Sequence, residues 1–136
     1  MIEHAFRLHK GDLLKESLQQ YCIDHSIHSA VVLSGVGSLE HLRIRLAEAI
    51  EFLEKDAHYE IVSLTGTLCM DGVHLHISVS DKDGRVWGGH LVDGCVIYTT
   101  AEIVLGELEN YQFTREMDES TGYKELVVRD KNEFDR

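Results

Sequence analysis

Three imidazoles stand close together in GVHLHISVSDKDGRVWGGHLVDG, residues 72–94: His74, His76 and His90. The chain has nine histidines, and these three fall within seventeen residues. Three neutral imidazoles with a fourth position open suit a borderline divalent ion such as Zn²⁺. An ion held that way binds water or another ligand at the open position. It can polarise a substrate or activate water there. The competing reading of the same residues is a polar row on a solvated sheet face. The other six (His4, His9, His25, His28, His41 and His58) show no comparable spacing and read as surface residues.

For the three to meet, one hairpin must have one particular register. His74 and His76 are two residues apart, so on a strand they share a face. His90 lies beyond the turn SDKDGR. A three-residue loop, Lys82–Asp83–Gly84, suits a type I turn with a glycine bulge, because Gly84 tolerates positive φ. Asp81 then pairs with Arg85, Ser78 with Gly88, and His76 with His90. Opposed Cβ atoms in such a ladder lie about 5 Å apart and diagonal ones about 7–8 Å. A loop one residue shorter or longer would turn His90 to the opposite face. Gly88 leaves the face opposite Ser78 open, and Gly89 allows close approach of backbone or ligand.

The elements around this hairpin are mostly strands. SAVVLSGVGSL is a β-branched run ending in a glycine turn. EHLRIRLA alternates Leu42, Ile44 and Leu46 against His41, Arg43 and Arg45, the period of a half-buried strand. YEIVSLTGTL, VHLHISVS, RVWGGHLV and CVIYTTAEIVL follow as four strands, and YQFTRE and YKELVV complete the set. One helix is expected in LLKESLQQYCIDHS, with Asp12 as its cap and Leu14, Leu18, Tyr21 and Cys22 on one side. A weaker second helix is expected over residues 46–56, LAEAIEFLEKD. Connections this short leave no room for parallel crossovers. The expected class is therefore α+β: a mainly antiparallel sheet with one or two packed helices.

Composition narrows the function. A length of 136 residues fits one domain, 1–136, with residues from about 129 onward as a flexible tail. Net charge is −11, which repels nucleic-acid phosphates. Arg43 and Arg45 are the nearest thing to a basic patch, and the chain has no proline for a minor-groove arm. Direct DNA binding is not expected. Cys22, Cys69 and Cys95 form no CxxC pair and sit among apolar neighbours, as buried reduced thiols do. The N-terminal MIEHAFRLHKG lacks a basic start followed by an apolar run. No stretch approaches the ~20 apolar residues of a membrane span. A cytoplasmic location is expected.

Several blocks, in order, resemble the PPC domain (DUF296), a domain conserved in plants and prokaryotes. LSGVGSL (33–39) resembles the family's glycine-rich strand end. YEIVSLTGTL (59–68) is similar to its central strand and the hexapeptide region of plant members. HLHISVSDKDGRVWGGHLVDG (74–94) resembles its longest signature. TTAEIVL (99–105) and FTREMDESTGYKEL (113–126) resemble its C-terminal portion. The resemblance implies a compact α+β domain that assembles as a homotrimer. In plants the domain follows AT-hook motifs and mediates self-association and recruitment of other proteins. Prokaryotic members are usually the domain alone and are often labelled DNA-binding by inheritance. This chain has no Arg-Gly-Arg-Pro hook. Some bacterial relatives hold a metal with histidines matching His74, His76 and His90.

Two functional classes remain. The first is a homotrimeric binding or regulatory module with a metal site and no direct hold on DNA. Its contacts with a partner protein would use Tyr59, Glu60, Ile61 and Val62, in the hexapeptide-like HYEIVS, although Ile61 and Leu64 also read as core. The second is a metal-dependent enzyme acting on a small molecule. Asp93, Glu102, Arg115 and Glu116 are the conceivable acid, base or supporting groups, with Glu102 and Arg115 the candidates beside the metal. The histidine pair is cupin-like, but the cupin glutamate and glycine spacing is absent.

Overall fold

The structure, a computed structural model, describes residues 1–133. Eight strands and one α-helix follow the order β1 (Ile2–His9), α1 (Leu14–Asp24), β2 (Ala30–Arg45), β3 (Phe52–Cys69), β4 (Gly72–Ser80), β5 (Val86–Leu91), β6 (Val96–Glu107), β7 (Tyr111–Asp118) and β8 (Tyr123–Asp130). Six strands form an antiparallel sheet in the order β1-β6-β2-β3-β4-β5. The sheet curls until β5 meets the end of β2, with Ile44 opposite Leu91 and Arg45 opposite His90. β2, β3, β4 and β5 thus close into a ring. β7 and β8 form a separate hairpin. This is the antiparallel α+β architecture the strand pattern predicts.

Alternation fills the core. Leu39, Leu42 and Ile44 of β2, Leu64 and Leu68 of β3, Leu75, Ile77 and Val79 of β4, and Ile97, Ile103 and Leu105 of β6 are buried. Leu14, Leu18 and Cys22 of α1 are fully buried against this set. Each such leucine or isoleucine contributes about 1.5–3 kcal/mol of burial. No helix among the described residues is long and apolar enough to cross a membrane.

Several sequence expectations are corrected. Asp12 does not cap α1. Leu13 is the N-cap residue without a side-chain bond, and the carbonyl of Cys95 accepts from the Leu14 amide at 2.9 Å instead. The Asp12 carboxylate accepts from the His9 amide at 2.7 Å, tightening the turn after β1. The second helix, over 46–56, is absent. Residues 46–51 form the β2–β3 connection, with positive φ at Glu48 (75°) and Ala49 (58°), and β3 begins at Phe52. The helix formers there yield to a tight turn between two paired strands. The two strands expected over residues 29–47 are one, β2, which passes its glycines with shifts of register. β1 was not expected at all. The tail expected from about 129 begins inside β8, and Lys131–Glu133 form a 3₁₀ turn. Its remainder, residues 134–136, lies outside the described residues.

Candidate metal centre

β4 decides where His74 and His76 point. Leu75, Ile77 and Val79 are buried in the core, so period two turns His74, His76 and Ser78 outward. β5 does the same with one apolar anchor: Leu91 is buried, and His90 faces out beside its partners. The connecting turn has the expected form. The Asp81 amide donates to the Arg85 carbonyl at 2.9 Å, the Gly84 amide donates to the Asp81 carbonyl at 3.0 Å, and Gly84 has φ +81°. The Asp81 carboxylate clamps it further, accepting from the Asp83 and Arg85 amides and from Trp87 Nε1. The indole bond, first among several, holds the Asp81 carboxyl below its usual pKa. The resulting ladder puts Ser78 opposite Gly88 and His76 opposite His90.

The three rings gather. Centroids are 5.1 Å apart for His74–His76, 5.0 Å for His74–His90 and 5.7 Å for His76–His90. One nitrogen from each ring lies within 4.8 Å of the others. A tetrahedral Zn²⁺ with bonds of about 2.0–2.1 Å draws nitrogens to roughly 3.4 Å of one another. Small rotations of outward-facing side chains supply that contraction. Among the described residues, no protein group hydrogen-bonds to a ring nitrogen of the three. His4 and His41 are the contrast. His4 has both nitrogens engaged, by Tyr21 Oη at 2.9 Å and Glu107 Oε1 at 2.8 Å. His41 is held between Asp56 at 2.6 Å and Glu54 at 2.8 Å. Neither is the plain surface residue expected, and neither has a nitrogen free for an ion.

The surroundings favour the neutral form of His74 and His90. Burial lowers the His90 pKa to about 4, and Arg45, His74, His76 and Lys15 press in the same direction. Burial, then His76, Arg115 and Arg45, also lowers that of His74, while Glu125 opposes them. A neutral imidazole offers the lone pair that a metal needs.

Two clefts open beside the cluster. One, of about 520 Å³, runs between the β2–β3 connection and the outer faces of β3, β4 and β5, and includes Glu48, Ser63, Thr65 and all three histidines. The other, of about 330 Å³, lies between His74, His90, Asp71 and the β7–β8 hairpin, where Arg115, Tyr123, Lys124 and Glu125 line it. Arg45 borders both.

The remaining candidates divide. Arg115 is beside the cluster, its Nη2 donating to Thr67 Oγ1 at 3.0 Å and its amide to Asp71 Oδ2 at 3.0 Å. Glu102 is not: it lies exposed on β6, opposite Arg7 and Val36, with β2 and β3 between it and β4. Asp93 pairs with Lys15 at 3.4 Å, and Glu116 with Arg129 at 3.0 Å. In the hexapeptide-like stretch, Tyr59 and Ile61 are buried, while Glu60 and Val62 face solvent. Arg45 is the residue the sequence reading missed as part of this site. Its outward parity was legible, but its place beside His90 depends on the return of β5 to β2.

Comparison with known proteins gives a consistent assignment. A family model described as the Plants and Prokaryotes Conserved (PCC) domain matches residues 1–109. The chain is 47% identical over 125 residues to the bifunctional protein GlmU of Synechococcus sp. strain JA-3-3Ab, covering 92% of this chain and 20% of that protein. The chain thus spans about a fifth of the length of the curated relatives it matches. Among solved structures, a hypothetical protein from Salmonella enterica superposes with a TM-score of 0.91 at 33% identity, over 96% of this chain and 94% of that one. The metal-containing protein AF0104 of Archaeoglobus fulgidus superposes with a TM-score of 0.76 at 27% identity, over 93% of this chain and 94% of that one.

Proposed function

This chain belongs to the Plants and Prokaryotes Conserved domain family, and from that premise we propose that it is a homotrimeric binding or regulatory module carrying a divalent metal, Zn²⁺ or similar, on His74, His76 and His90. The observation that carries the reading is the cluster itself: three imidazoles on one face, each offering a nitrogen within 4.8 Å of the others. A metal-containing relative of the same fold supports it. Self-association is supported by apolar side chains left in water on the sheet: Leu33 and Val36 of β2 and Val62 of β3 are 50%, 53% and 57% exposed. In the cyanobacterial relatives the similar segment is a fifth of a longer protein, as suits a module that serves other domains.

Direct DNA binding is disfavoured by a net charge of −11. A surface that tracks a nucleic-acid backbone would have to overcome that field, most of all at low salt. Other proteins, met through the exposed Glu60, are the better-suited partners. Three buried, free thiols suit a reducing, cytoplasmic setting. The second reading, a metal-dependent enzyme on a small molecule, is favoured by the two clefts that reach the histidines. In it His74, His76 and His90 would hold an ion whose Lewis acidity would act on substrate or water, and Arg115 and Arg45 would orient the substrate.

The test is metal analysis of protein purified without a histidine tag, alongside His76→Ala, with sedimentation of both. Near-stoichiometric divalent metal in the parent protein, lost in His76→Ala while the trimer persists, is expected. Metal-free parent protein that fails to take up Zn²⁺ refutes the site. Turnover that vanishes on chelation would move the assignment to the enzyme. Retention on duplex DNA at about 0.1–0.2 M salt would overturn the ranking against DNA.

A further inference from the structure

We infer that the open position of the histidine site is built for a small oxyanion, a carboxylate or phosphate group, which Arg45 and Arg115 hold against the metal. The inference rests on the metal reading above and adds the class of ligand. Its starting point is charge. A ligand set of three neutral imidazoles leaves the ion's two positive charges uncompensated, unlike sets containing thiolates or carboxylates. The neighbouring side chains add to that charge. Arg45 and His90 are opposed residues of β2 and β5. Arg115 reaches over from β7 to Thr67, which is itself the β3 partner of His74.

Both arginines are half-buried. Neither forms an ion pair among the described residues, in a chain with 24 acidic and 13 basic side chains. The Arg45 guanidinium carbon lies 5.7 Å from the Tyr123 ring centroid, a face-on contact that leaves its in-plane hydrogen-bond donors for another group. Arg115 spends one guanidinium nitrogen on Thr67 and has others to offer. Lys124 lines the same cleft. Asp71, Glu125 and Glu48 line the clefts too. Asp71 accepts from the Arg115 backbone, not from its guanidinium. A planar guanidinium matches a carboxylate or phosphate in two-point geometry. An anion bridging ion and arginines relieves repulsion that the ion alone would suffer.

Metal and anion must therefore bind with positive coupling, and the coupling is reciprocal. The experiment measures Zn²⁺ affinity of the full, tag-free chain by competition with a chromophoric chelator. It is run without added anion, with millimolar inorganic phosphate, and with millimolar acetate, each referenced to chelator alone in the same buffer. Either anion should tighten Zn²⁺ binding by about tenfold. Tightening by phosphate alone assigns phosphate-bearing ligands, by acetate alone carboxylates, and by both the shared oxyanion chemistry. Arg45→Gln and Arg115→Gln should each remove most of the tightening while bare Zn²⁺ affinity stays level or rises. Arg45→Lys and Arg115→Lys should retain part of it, and thermal unfolding of each variant checks the fold. Unchanged Zn²⁺ affinity with both anions refutes the inference and leaves the metal site standing. Tightening that survives both glutamine substitutions refutes it as well. Failure to bind Zn²⁺ in any condition refutes the metal reading itself.

Discussion

Of the three candidate ligands, His90 has Arg45 opposite it and burial holding its pKa down to about 4. Its titration is directly observable in the metal-free protein by imidazole NMR. The midpoint should fall near 4, well below the ordinary 6.5. The sign for stability follows from linkage. The unfolded chain takes up the proton as pH falls through 6.5, while the folded chain resists until about 4. His90 therefore removes stability across that interval on acidification, and the stability is complete above it. His41 works the other way. Hydrogen bonds that His41 donates to Glu54 and Asp56 raise its pKa, so its contribution is present below 6.5 and fades as pH rises through its folded value. Thermal unfolding of His90→Asn should show a shallower acid-side loss than the parent. Bound metal should be released over the acid range too, because protons compete for the same lone pairs.

At the scale of elements, the hairpin was readable because one glycine fixed its loop and one parity rule fixed its faces. Other parts were not, for physical reasons. β1 alternates Ile2, His4, Phe6 and Leu8, but its inward row contains a histidine. That position becomes comfortable only when Tyr21 and Glu107 arrive from distant segments. Residues 46–56 are strong helix formers, and pairing of β2 with β3 overrides local preference. Arg45 could not be joined to the site because the sequence gives no sign that the sheet rolls up. Gly89 is where the rolling is enforced: a Cβ there would lie 2.7 Å from the Arg45 carbonyl oxygen. Gly89→Ala should cost about 1–3 kcal/mol by overpacking. It should also push β5 from β2 and weaken Zn²⁺ binding, whereas Gly84→Ala, whose Cβ meets nothing within 4 Å but whose φ of +81° strains any side chain, should cost stability without moving β5 from β2. Thermal unfolding and chelator competition on the two variants check both effects. A second comparison isolates register. One residue inserted between Lys82 and Asp83 should abolish metal uptake while leaving far-UV circular dichroism strand-like, because it reverses the face of His90.

At the scale of the whole molecule, the apolar residues left on the sheet bear on assembly. Val62 is 57% exposed on β3, yet its neighbours Ile61 and Leu64 are buried. Val62→Glu should leave the isolated fold intact within about 0.5 kcal/mol, as surface changes usually do. It should shift the sedimenting species toward the monomer if this face is the subunit contact, and an unchanged trimer would move the contact elsewhere. The thiols have a different consequence. All three are buried, and burial raises the pKa of Cys22 to about 12 and of Cys95 to about 11. Alkylating reagents need the thiolate in contact with solvent. The native chain is therefore closed to them, and each labelling event records a moment when the core has come apart. The protein carries its own clock for spontaneous opening, readable by mass spectrometry without any engineered probe.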